Sequence, residues 1–174
     1  MKITGRNIKR RLYGLRTLPS RLKRARHFRG HGVHSPYVYN IVRQVFMRST
    51  FIADDRTLYD VLISRGIAKR RALQLQNLIE HLRYESFLID CSVEEIGKCD
   101  IAIATIDLLP EHLPALAAEA HAKGTTLCIL APTFDRERDM ICKRLVEEHP
   151  CTSVDNRGYL LLFNNHLPKQ KFRL

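Results

Sequence analysis

The sequence predicts an α/β protein in which a mostly parallel sheet ends in an antiparallel hairpin and follows a helical, basic N-terminal region. Three observations predict it. Up to residue 83 the apolar side chains recur at spacings of three and four, as on helices. After Tyr84 they gather into short continuous runs of the kind that form buried parallel strands, with helical stretches between them. Two last runs flank Asn156-Arg157-Gly158, a turn tight enough for a hairpin.

Over residues 6–28, Ile8, Leu12, Leu15, Leu18 and Leu22 alternate with lysines and arginines, which describes a basic amphipathic helix interrupted at Pro19. Its leucine stripe needs a surface to cover it: the body of the protein, a partner or lipid. Ser35 followed by Pro36 reads as an N-cap and first helical position, opening a helix that runs to about residue 48. A second helix starts at Asp54 or Asp55 and continues through 63. A third spans 68–83, with Leu73, Leu75, Leu78, Ile79 and Leu82 inward. Strands are expected at 87–91, 100–104 and 126–131. Between them lie a Ser92-x-x-Glu95 capping-box turn and a helix over 110–122 that stops at Lys123-Gly124. A helix over 135–148, halted by Pro150, leads to hairpin strands at 152–155 and 159–163. The expectation is a sheet of about five strands and two regions, 1–83 basic and helical and 84–174 α/β.

Charge is distributed unevenly. Residues 1–50 hold 13 of the 29 Lys and Arg and none of the 18 Asp and Glu, and Asp54 is the first acidic residue. The remainder is close to neutral at −2, so the formal +11 belongs to the N-terminus. A concentrated basic segment suits a polyanion, either nucleic acid or an anionic membrane surface. The five cysteines are odd in number and include no Cys-x-x-Cys, which argues against a disulfide framework and a thiolate zinc site and favours a reducing, cytoplasmic setting. No run approaches the length of a membrane span, and the N-terminus lacks the apolar stretch of a secretory signal and reads as part of the mature chain.

The string His31-Gly32-Val33-His34-Ser35-Pro36-Tyr37-Val38-Tyr39 is similar to the opening motif of a group of bacterial class I S-adenosylmethionine-dependent methyltransferase-like proteins. A stretch like Ile67-Ala68-Lys69-Arg70-Arg71-Ala72-Leu73-Gln74-Leu75 follows it there too, and the tail Lys169-Gln170-Lys171-Phe172-Arg173-Leu174 resembles that group's ending. The resemblance covers the first ~80 residues and roughly 98–174. It implies a truncated Rossmann-like sheet whose last strand inserts antiparallel, and S-adenosylmethionine as the family's cofactor.

The departures from that family lie at the cofactor site. The resemblance implies a first strand ending in an acidic residue and a glycine-rich turn, then a second strand ending in a carboxylate for the ribose. Here no Gly-x-Gly occurs after residue 32, and Phe87-Leu88-Ile89-Asp90-Cys91-Ser92 reaches its next glycine only at Gly97. Two strand-helix units are missing. Where the family carries Asp-Gly this chain has Thr105-Ile106, with Asp107 two residues late, and Pro132-Thr133 replaces a usual acidic pair.

Asp90 and Ser92 are the surviving candidates for cofactor contact, with an N-cap of the following turn as the other reading of Asp90. Arg10, Arg11, Arg21, Lys23, Arg24, Arg26 and Arg29 are the candidate contacts to nucleic acid or another anion, and Lys69-Arg70-Arg71 would extend that surface. Among the motif residues His31, His34, Ser35 and Tyr37, the two histidines admit roles as general base, metal pair or nucleic-acid contacts, Ser35 reads as the N-cap, and Tyr37 with Tyr39 admits stacking on a base. The alternative is a tight bend at Gly30 and Gly32, a locally hydrogen-bonded His34, and Tyr39, Val42, Val45 and Phe46 packed in the core. With no third or fourth ligand nearby, no metal site is expected, and no catalytic residue is identified. Cys128 and Cys142 read as buried, inert thiols.

The combined expectation is a methyltransferase-like protein that has lost its cofactor site, binds no cofactor and acts as a basic binding protein for RNA or a ribonucleoprotein. Two alternatives stand beside it. One is an active S-adenosylmethionine-dependent methyltransferase with an unorthodox site or one completed by a second copy in a homodimer. The other is a peripheral membrane or partner-docking protein.

Overall fold

The computed structural model describes residues 33–165 and 167–174. The basic segment before Val33 lies outside them. Ser35 caps the first helix as its sequence implies: its Oγ accepts the Val38 N–H at 3.4 Å, and Pro36 takes the first turn. Helix α1 (Pro36–Ile41) passes into a π-helical turn, Val42–Phe46, two residues short of the expected end. Helix α2 (Thr57–Ser64) begins later than expected, because the Asp55 carboxylate accepts both the Thr57 N–H at 3.1 Å and its hydroxyl at 2.6 Å just before the first turn. Helix α3 (Lys69–Leu82) ends at Arg83, which takes a left-handed φ of 57°.

Then come β1 (Phe87–Ile89), β2 (Ile101–Ala104), α4 (Leu113–Lys123), β3 (Thr126–Leu130), α5 (Arg136–Glu148), β4 (Ser153–Asp155), β5 (Tyr159–Leu162) and β6 (Lys171–Arg173). The six strands form one sheet in the order β1-β2-β3-β5-β4-β6. β1, β2 and β3 pair in parallel, β5 is antiparallel to both of its neighbours, and β6 returns parallel to β4. The sheet therefore has six strands where about five were expected. Its hairpin strand β5 lies between β3 and β4, not at the edge.

The period of two along each strand divides the core between the two faces. Ile101 and Ile103 of β2, Cys128 and Leu130 of β3, and Tyr159 and Leu161 of β5 face α1, α2 and α3. Ala102, Ala104, Leu127, Ile129, Leu160 and Leu162 face α4 and α5, through Leu113, Leu116, Cys142 and Leu145. The helices of residues 36–82 thus share one core with the sheet. Three buried amides on α3 fix the chain that leads into it. Gln74 donates to the Phe46 carbonyl at 2.8 Å, Gln76 accepts the Tyr59 N–H at 3.0 Å, and Asn77 both accepts from Ile52 N–H and donates to the Thr50 carbonyl.

On α1 and the π-helical turn that follows it, the buried stripe is Val38, Ile41, Val42, Val45 and Phe46. Tyr39 sits one position past it and is 45% exposed, correcting the expectation that it packs inward. Tyr37 is the aromatic that packs, edge-on to Phe163 with ring centroids 5.5 Å apart. Among the described residues no helix is long and apolar enough to cross a membrane.

Replacing Ile103 by alanine is expected to cost about 2–5 kcal/mol in urea unfolding, because both facing layers are packed against its strand. The same change at Leu109, which is exposed, should stay within about 0.5 kcal/mol.

Candidate functional site

In a parallel sheet the carboxyl ends of the strands share one edge, and the residues after β1, β2 and β3 meet there. Asp90 follows β1 in the left-handed region at φ 53°, which ends the strand two residues before the expected Cys91. Its carboxylate is already occupied. Oδ1 accepts the Thr105 N–H at 2.7 Å, and Oδ2 accepts the Thr105 hydroxyl and Arg65 Nη1, each at 2.8 Å. Asp90 is thus a clamp between the ends of β1 and β2, held from outside by α2's C-terminal neighbour. It does not cap the next turn. That role falls to Glu95, whose carboxylate accepts the Ser92 N–H at 3.0 Å, while Ser92 itself is exposed.

Arg138 closes the edge from the other side. Asp135 caps α5 by accepting the Arg138 N–H at 2.8 Å. One turn into the helix, the Arg138 side chain turns into the protein and is 1% exposed. Nε donates to the Leu130 carbonyl at 3.3 Å, Nη1 to Leu108 at 3.0 Å, and Nη2 to Ala104 and Thr105 at 3.3 and 2.7 Å. The Ala104, Thr105 and Leu130 carbonyls lie at the ends of β2 and β3, and that of Leu108 lies in the loop after β2. Burial lowers the guanidinium pKa, opposed by Cys142, Asp135 and Asp90 nearby. Among the residues not anticipated from sequence this is the most consequential. Its signal was present, since Arg138 stands four and seven residues before the buried Cys142 and Leu145, on the inward face of α5.

The other predicted residues are dispersed. Arg10, Arg11, Arg21, Lys23, Arg24, Arg26, Arg29 and His31 lie outside the described residues. His34 is exposed and makes no hydrogen bond to another of the described residues. Ser35 is a cap. Burial, with Tyr84 beside it, raises the Tyr37 phenol pKa, which fits a core role. All five cysteines are free and buried; burial pushes Cys142 up to about 12 and Cys99 up to about 11, so neither is a thiolate near neutral pH. No group of three or more His, Cys, Asp or Glu able to hold a metal occurs among the described residues.

At the opposite edge of the sheet two imidazoles lie edge to face, His121 at the end of α4 and His149 after α5, with centroids 6.2 Å apart. His149 Nε2 is 2.9 Å from the Phe163 carbonyl and His121 Nδ1 is 3.1 Å from Asn164 Oδ1. Burial lowers the His149 pKa. The Phe163 carbonyl opposes that shift, whereas His121 and Lys169 add to it.

Two outcomes follow from these contacts. Arg138→Met should cost about 3 kcal/mol or more in urea unfolding, because several strand-end carbonyls lose their donors at once, and Arg138→Lys should recover only part of it. For His149, a folded-state pKa below the unfolded ~6.5 gives stability that is complete above that value and is lost as pH falls through the folded pKa. Unfolding midpoints measured from about pH 7.5 down to 5.5 should therefore fall, and His149→Gln should flatten the decline. Compared with protein-family models, curated proteins and solved structures, the chain matches none.

Proposed function

We propose that this chain is a truncated methyltransferase-like protein without a working S-adenosylmethionine site, acting in the cytoplasm as a basic binding protein for RNA or a ribonucleoprotein. The observation that carries the reading is the acid-free run up to Asp54, which concentrates 13 cations where a polyanion would gain most from counterion release. The binding would be through phosphates, with little sequence readout.

Several structural features support the methyltransferase-like part. The parallel block β1-β2-β3 with β5 inserted antiparallel beside β3 is the arrangement the resemblance implies. Its cofactor edge is filled by protein groups: the Asp90 carboxylate is spent on Thr105 and Arg65, and the Arg138 guanidinium lies under the ends of β2 and β3. A cofactor needs close backbone approach at a glycine turn and a free carboxylate for its ribose. The five free, buried thiols suit a reducing compartment.

Calorimetric titration of the purified protein with S-adenosylmethionine should give no heat of binding, whereas saturable micromolar binding would restore the enzyme reading. For RNA, log affinity should fall with log salt by about 0.7 per neutralised phosphate on single strands. Glutamine at Arg10, Arg11, Arg21 and Arg24 should weaken RNA binding more than serine at Ile8, Leu12, Leu15 and Leu22. The reverse order on anionic vesicles would identify a membrane-docking segment instead.

A further inference from the structure

Two imidazoles hold the exit of β5, at the edge of the sheet opposite Asp90 and Arg138. Asn164 donates its Nδ2 to the Thr125 carbonyl at 2.6 Å, so the atom it turns toward His121 is Oδ1, an acceptor. His121 Nδ1, 3.1 Å from that oxygen, therefore carries the proton. The Phe163 carbonyl is an acceptor too, which makes Nε2 the protonated nitrogen of His149. Each neutral ring keeps one bare nitrogen, Nε2 on His121 and Nδ1 on His149, and a further proton adds there.

The surroundings of His149 suit the neutral ring. It is 7% exposed, and its backbone N–H is tied to the Leu145 carbonyl at the end of α5. Among the described residues, the titratable and charged groups that act on it are the His121 ring of α4, 6.2 Å away between centroids, and Lys169 of the tail. On its own helix, Glu147 is engaged with the tail, where its carboxylate accepts from Lys171 and its carbonyl from Lys169. The residues the two rings hold lead into that tail. Thr152 Oγ1 donates to the Pro168 carbonyl and the Ser153 N–H to Gln170, each at 2.8 Å, and the Leu174 N–H donates to Asp155 at 2.9 Å.

We propose that the His121–His149 pair is a pH-sensitive latch on the C-terminal tail, residues 167–174, closed by neutral imidazoles and opened when His149 takes up a proton. A charged His149 reaches water only by leaving the Phe163 carbonyl, and that movement frees the exit of β5. The tail is peripheral: β6 pairs with β4 alone, at the end of the sheet, so it comes away while β1 to β5 stay paired. Opening uncovers the outer edge of β4 and the buried Leu174. The sign follows from linkage. His149 protonates near ~6.5 in the opened form and lower in the closed one, so the latch is closed above that value and loosens as pH falls below it.

The test follows amide hydrogen exchange of the full chain by NMR at about pH 7.5 and 5.5, corrected for the intrinsic pH dependence of exchange. The Leu174 N–H reports on the tail, and the Thr126 N–H, which donates to the Asp100 carbonyl at 2.9 Å, on the parallel strands. Leu174 should be less protected than Thr126, because the tail opens without the sheet, and its protection should fall by up to about tenfold at the lower pH. His149→Gln keeps a donor for the Phe163 carbonyl and cannot titrate, so the fall should vanish. His121→Gln, at an exposed position, keeps the test informative if His149→Gln unfolds; the fall should then shrink, since one of the groups opposing charge on His149 is gone. Equal protection of the two amides would show that the tail opens only with the whole fold and would overturn the latch. A fall that keeps its size in both variants would overturn it too, as would a tail opening that ignores pH.

Discussion

The sheet depends on how its carboxyl edge is closed. The carboxyl ends of parallel strands share one edge, and the carbonyl oxygens buried there must find donors within the protein. Arg138 supplies them from one side, donating to the carbonyls of Leu130, Ala104, Thr105 and Leu108. Asp90 closes the other, taking the Thr105 amide and hydroxyl. The two charges are not directly paired, yet the Asp90 carboxylate favours the charged Arg138 guanidinium across Thr105. A cation buried among carbonyls alone would be costly, and the neighbouring carboxylates of Asp90 and Asp135 reduce that cost.

The N-terminal helices are attached by a different kind of force. Their leucines and valines supply burial, which is nondirectional, and the α3 amides supply the register. Gln74, Gln76 and Asn77 each hold backbone or side-chain groups from the preceding 30 residues, so the loop between the π-helical turn and α2 has one placement against α3. Tyr159 adds a link from the sheet, donating its hydroxyl to Gln74 at 3.4 Å.

Local chemistry in the sequence was legible and long-range chemistry was not. Ser35 before Pro36, Gly124 after α4 and Asp135 before α5 announce helix ends, because capping is settled within four residues. Asp90 was visible as a strand end, but its partners stand 15 and 25 residues away. β6 does not read as a strand, since Lys171 and Arg173 flank a single aromatic; it forms by pairing with β4, and Lys171 is further held by the Glu147 carboxylate. At the candidate sites, the charge of residues 1–50 was plain in composition. The approach of Arg71 to the turn at Gly158 was not, because the two meet only once the hairpin packs on α3.

The position of β5 has a consequence for the order in which the chain is built. A ribosome delivers β3 and β4 before β5, yet β5 lies between them, so β3 and β4 do not pair with each other and each keeps one edge open until β5 arrives. The face of the sheet that receives α1 and α3 stays partly uncovered until residues 159–163 emerge, and the Gln74–Tyr159 bond closes a loop of 85 residues. The final dozen residues, including β6, then seal the edge beside β4. Nascent chains halted before residue 159 therefore carry an open strand edge and an unfilled core, the species that chaperones would meet first.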